Sequence, residues 1–224
     1  EAAYQSQTKA DQQTAHISIA RALQTDFPDI VNNHPEVIAQ HFNAGGDARQ
    51  AIEYWLCAAE RTALYSAFTE ELGYLQSGLD ALGSLPDAHE KDRLEFALQL
   101  RYGFAMQTSQ GYGANTTVQA FYKAIELAKK IGNIPSLFQA LHGLNAGLSS
   151  HPDFDNTSGL AIARQLLGIA QESRDPYLLQ QAYYPMGSAT FWLGDFAASR
   201  QHHEQSIALD PPNPQDIRLD YTNQ

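Results

Sequence analysis

Apolar residues recur at steps of three and four along almost all of this 224-residue chain, and no segment of strand length alternates apolar with polar. That period leaves one class of fold open, an assembly of amphipathic helices. Val118, Phe121, Tyr122, Ile125 and Ala128 share one helical face. So do Leu94, Ala97, Leu98, Tyr102 and Ala105, and again Leu160, Ala163, Leu167 and Ala170. The breaks carry helix-boundary chemistry. Pro35, Pro135 and Pro176 suit a first helical turn, where the missing N–H would have no partner anyway. Asp175 can cap the helix that follows it. Asp87, three residues before Glu90, reads as a variant capping box. Glycines at Gly45-Gly46, Gly111, Gly113, Gly132 and Gly194 close or link helices. These signals bound helices at 9–24, 35–43, 47–65, 69–84, 88–108, 115–131, 135–149, 158–173, 177–193 and 196–209. Short turns make consecutive helices antiparallel. The expected fold is all-α, an α-α superhelix of antiparallel helical hairpins with about ten helices.

One hairpin follows the tetratricopeptide pattern, a repeat of about 34 residues in which small side chains let two helices approach and large ones fill the gap. Ile38-Ala39 and Phe42 form its first half; Ala51, Trp55 and Ala58 form its second. The last hairpin matches in part. Met186-Gly187 is its bulky-small pair, Gly194-Asp195-Phe196 its turn, and Ser206 to Pro211 (SIALDP) its close. Thr190 stands where an aromatic is usual, His203 where a large apolar group is usual, and Ser199 is small but polar. Pro185 lies inside this hairpin's first helix, so that helix is either bent or divided. A bend there would present Tyr183, Tyr184 and Trp192 as a binding platform. The segment Ser149 to Phe154 reads as a loop.

The runs AQHFNAGGDARQAIEYWLCAAERTALYSAFTEELGYLQSGLDALGSLPD (39–87), GYGANTTVQAFYKAIELAKK and GSATFWLGDFAASRQHHEQSIAL resemble a particular bacterial group. They are similar to the helical-repeat region of multidomain signalling ATPases of the AAA or STAND type, which often carry an adenylate or guanylate cyclase domain. HISIARALQTDFP, from His16 to Pro28, resembles the link from the ATPase module into the repeats. The resemblance implies a linker and lead-in helix over 1–34, repeats over 35–211 and the start of a continuation over 212–224. It also implies a regulatory role without catalysis in this segment, because no G-x-x-x-x-G-K-[ST] phosphate loop occurs in the chain.

Charge narrows the partners. Fourteen Lys and Arg against 25 Asp and Glu leave a net charge of −11, which repels nucleic acid and anionic membrane alike. The one cysteine, Cys57, makes neither an intramolecular disulfide nor a zinc cluster alone and points to a reducing, cytoplasmic setting. It sits between Trp55 and Ala58 on a helix expected to be buried, and so reads as packing. No two of the eight histidines stand four apart on a helix, so no metal is expected, and no cofactor either. Gly111-Tyr112-Gly113 lacks the strand and lysine of a phosphate loop, and Glu70-Glu71 reads as a solvated helix start.

The positive expectation is a groove. Stacked hairpins offer a concave face for extended peptides. Arg101, Asn145, Tyr184 and Ser188 are its expected contacts; Ala39, Phe42, Ala51, Trp55, Ala58, Gly187, Gly194 and Pro211 are structural repeat positions. The expected partner is a protein, a peptide or another domain of the same chain. A spacer or self-associating module, with a possible homodimer, and a small-molecule sensor pocket stay open as alternatives.

Overall fold

The computed structural model describes residues 8–150 and 155–209. Pro211 and most of the expected loop over 149–154 lie outside those residues. Among the described residues eleven α-helices run in order: α1 (Lys9–Asp26), α2 (Pro28–Asn33), α3 (Pro35–Gly45), α4 (Ala48–Leu64), α5 (Phe68–Ala81), α6 (Ala88–Gln110), α7 (Asn115–Ile131), α8 (Ile134–Leu148), α9 (Asn156–Ser173), α10 (Pro176–Trp192) and α11 (Phe196–Ala208). A short 3-10 turn, Leu82–Ser84, follows α5. There is no strand among the described residues, and within each unit helices pack against their neighbours in the chain. The fold is all-α, of the helical-hairpin superhelix class. The chain divides into two compact units, with the boundary between Gly143 and Leu144, inside α8.

The helix boundaries follow the side-chain chemistry. Pro35 and Pro176 open α3 and α10, and Pro28 opens α2 in the same way. Pro135 is the second residue of α8. Asp175 accepts from the Tyr177 N–H at 2.9 Å. Asp87 accepts from the Glu90 N–H at 2.7 Å, but the Glu90 carboxylate goes to Arg49 at 2.9 Å, so only half of the expected capping box forms. Gly46 ends α3 with a φ of 84°, a left-handed backbone that glycine adopts without strain.

In the first unit α4 buries two faces. Ala51 and Trp55 join Ala20, Ile38, Ala39 and Phe42 in one cluster with α1 and α3. Ile52 and Ala59, on its other side, join Leu75, Leu94 and Leu98 of α5 and α6. Each large side chain fully buried in this way contributes about 1.5–3 kcal/mol. Farther along, the Phe121 ring of α7 lies on two glycines, Gly103 of α6 and Gly143 of α8, where any Cβ would collide with it. Gln107 closes the same contact by donating to the Gly143 carbonyl at 3.2 Å. Of the face expected on α7, Val118, Phe121, Ile125 and Ala128 are buried, whereas Tyr122 is exposed.

In the second unit α9, α10 and α11 pack in succession. Pro185 is buried and α10 runs unbroken past it, so the division into two pieces does not occur.

Candidate functional site

Two surfaces, one in each unit, carry side chains that the core does not absorb. In the first unit the feature is a charged cluster across α4, α5 and α6. Glu71, near the start of α5, is 2% exposed, which corrects its expected place at a solvated helix start. Its Oε1 accepts from Arg101 Nη2 of α6 at 2.8 Å. A buried charge survives only beside such a partner. Burial pushes the Glu71 carboxyl up, and the charge and hydrogen bond of Arg101 offset part of that. Glu60 of α4 feels the same two influences, burial upward and Arg101 downward. Arg101, expected as a groove contact, is thus half-buried and engaged within its own unit, with its Nε buried and without an acceptor.

Cys57 is exposed, not buried as expected, because it lies on the strip of α4 between its two packed faces. Local desolvation, then Glu60 and Glu53, raise its thiol above the ordinary range and so suppress the thiolate. A shallow groove of about 470 Å³ lies at the start of α4, lined by Arg21 of α1, Gly46, Arg49 and the turn Ser84–Pro86. Arg49 is held there by Glu53 at 3.4 Å and Glu90 at 2.9 Å, which leaves the groove close to neutral. Among the described residues no group of three or more His, Cys, Asp or Glu side chains gathers as a metal site.

In the second unit the feature is aromatic. The α10–α11 hairpin closes on small residues, as the sequence pattern requires, but with polar chemistry. Ser199 Oγ of α11 donates to the Gly187 carbonyl of α10 at 2.8 Å, and Ser206 Oγ donates to the Gln180 carbonyl at 3.1 Å. Thr190 turns its hydroxyl back to the Met186 carbonyl at 2.8 Å. The His203 ring lies on Gly187, where a Cβ would stand 2.7 Å from it. Pro185 and Met186 are the larger side chains buried on α10, and the large rings at its C-terminal end lie outside. Trp192 is 65% exposed, Phe196 64% and Tyr184 63%, joined by Phe191 and Leu193. Phe191 touches Trp192 and Phe196 edge to face, with centroids 5.3 Å and 5.5 Å apart. Tyr184 meets His203 edge-on at 5.5 Å. Tyr183, expected on the same platform, is instead half-buried and stacked on His202 at 6.0 Å.

Of the expected groove residues, Tyr184 and Ser188 lie one turn apart on α10, and Ser188 is half-buried. Asn145 is half-buried on α8. Among the repeat positions Ala39, Phe42, Ala51, Trp55 and Ala58 are buried, Gly187 makes the close helix contact, and Gly194 takes a φ of 85° in the last turn. Sequence reading missed Glu60, Glu71, Phe191 and Phe196 as features of interest. The run FWLGDF holds the signal for the last two, since three large rings around one tight turn exceed what a turn can bury.

No protein-family model matches the chain, and no curated protein does either. The fold itself has a counterpart among solved structures. The crystal structure of BtubC (BKLC) from P. vanneervenii superposes with a TM-score of 0.63 at 14% identity, over 93% of this chain and 95% of that one. At that identity the likeness establishes the fold alone. No described helix is long and apolar enough to cross a membrane.

Proposed function

We propose that this chain is a non-catalytic, tetratricopeptide-like interaction segment that binds a protein or peptide and regulates an ATPase or nucleotide cyclase attached to it in a bacterial signalling protein. The observation that carries the reading is the exposed ring cluster of Phe191, Trp192 and Phe196, with Tyr184 on the same hairpin. Contiguous apolar surface on a soluble domain marks interaction sites, and aromatic side chains dominate the binding energy of such sites. The repeat pattern around Ala39 to Ala58 and the likeness to signalling-ATPase repeats supply the regulatory half. The test compares the parent protein with and without residues 35–211 for nucleotide turnover and co-purifying proteins. A change in either supports the reading. No change in either sinks it and leaves a spacer.

A second reading rests on the same rings, which could seat a second copy of the chain. Light scattering across a concentration series separates the two. A native dimer that Trp192→Ser turns into a monomer favours self-association; a native monomer excludes it.

A further inference from the structure

His16 on α1 and His41 on α3 face each other Nδ1 to Nδ1 at 2.9 Å, with ring centroids 5.1 Å apart and planes tilted by 43°. Both rings are half-buried. A bond between two imidazole nitrogens needs one N–H and one lone pair. It forms when both rings are neutral, one of them as the Nδ1–H tautomer, and it survives one protonation. It does not survive a second, since both Nδ1 atoms then carry protons and both rings carry positive charge. We propose that the His16–His41 pair is a pH-sensitive latch that holds the lead-in helix α1 on α3 at neutral pH and releases it in acid.

The other ties between α1 and its neighbours keep their form over that range. Ile17 lies against Gly45, Ala20 is fully buried, and Gln24 Nε2 donates to the Tyr54 hydroxyl of α4 at 2.8 Å. Charged groups on the packed helices are placed elsewhere. The carboxylate of α3, Glu36, turns to His34 at 3.1 Å. On α1 Asp11 is bonded to Thr8, while Lys9, Arg21 and Asp26 lie toward the exposed side, as does Asp29 of α2. On α4 Arg49 is paired with Glu53 and Glu90, Arg61 donates to the Asn33 carbonyl, and Glu60 lies with Arg101.

The charge that bears on His41 is that of His16. Burial first, and then His16, push His41 below its ordinary value of 6.5. The released ring therefore binds its proton more readily than the latched one. The latch contributes fully above 6.5 and is lost as pH falls from there through the latched value.

Hydrogen exchange on the 224-residue chain, at about pH 7.5 and about pH 5.5, reads the latch directly once intrinsic rates are divided out. Amides of α1 are expected to lose protection in acid relative to those of α4 to α6. The loss is about tenfold for each unit separating latched and released pKa values. His142, half-buried on α8, is likewise pushed down by burial, so the readout must be confined to α1. His41→Gln offers His16 both an N–H and a carbonyl, keeps a bond at either pH, and should make α1 protection independent of acid. Equal acid-induced loss in H41Q and the native chain overturns the latch, and so does no loss in the native chain. If H41Q fails to fold, the ring Cε1–H signals of the native chain decide. Two coupled steps support the latch; two independent steps at the ordinary value end it.

Discussion

The α3–α4 hairpin and the α10–α11 hairpin solve one packing problem with different chemistry. The first closes on apolar groups alone: Ala39 and Ala51 are fully buried, Phe42 is 2% exposed, and Trp55 stacks on Tyr74 at 5.5 Å. The second closes on Gly187 and Ser199 through a hydrogen bond to a backbone carbonyl, with a histidine ring on the glycine. A small position thus demands volume first. Polarity is tolerated there when the hydroxyl finds an acceptor. The two closures differ in what they leave outside. The apolar hairpin buries its rings, whereas the polar one exposes Trp192, Phe196 and Tyr184. Ring burial in one hairpin and ring exposure in the other thus go with apolar and polar closure respectively.

Four single substitutions and one double variant test that contrast, from the largest effect to the smallest. Phe42→Ala should cost about 3–5 kcal/mol in urea unfolding, because the ring is enclosed on all sides. A cost near zero would mean that the apolar closure is not a core. Gly187→Val should cost about 1–3 kcal/mol by driving the His203 ring off α10. Adding His203→Ala should restore part of the loss, and strict additivity of the two changes would deny the contact. Ser199→Ala should cost about 0.5–1.5 kcal/mol, the net worth of one hydrogen bond. A larger loss would mark the second closure as the more brittle one. Trp192→Ala should change stability by no more than about 0.5 kcal/mol while weakening partner capture. A substantial fall in stability would place that ring in the core.

Most of the fold was legible in the sequence because helical period, proline and capping signals are local. Pro35, Asp87, Asp175 and Gly194 each settle a boundary with information from within four residues. The helix α2 was missed because six residues are too few to display a period. The face assigned to Tyr122 failed because period alone cannot say where a buried stripe ends. The charged cluster was not legible. Glu71 and Arg101 are thirty positions apart, and a carboxylate near a helix start looks the same whether it faces water or an arginine from another helix. The His16–His41 contact, 25 positions apart, is hidden for the same reason. The ring cluster on the last hairpin was half legible. Tyr184 and Trp192 were expected on a platform and are exposed, whereas Tyr183, expected with them, is half-buried against His202.

The chain holds two tryptophans, and they fall one in each unit. Trp55 is 5% exposed against Tyr74, while Trp192 is 65% exposed. The protein therefore carries two built-in lamps of different colour. Iodide in solution should dim the outer one and leave the inner one lit. A partner settling on Phe191 and Phe196 should shade the outer lamp from that quencher, while melting of the first unit should shift the inner lamp toward the red. Binding to one hairpin and unfolding of the other can thus be watched in a single unlabelled sample.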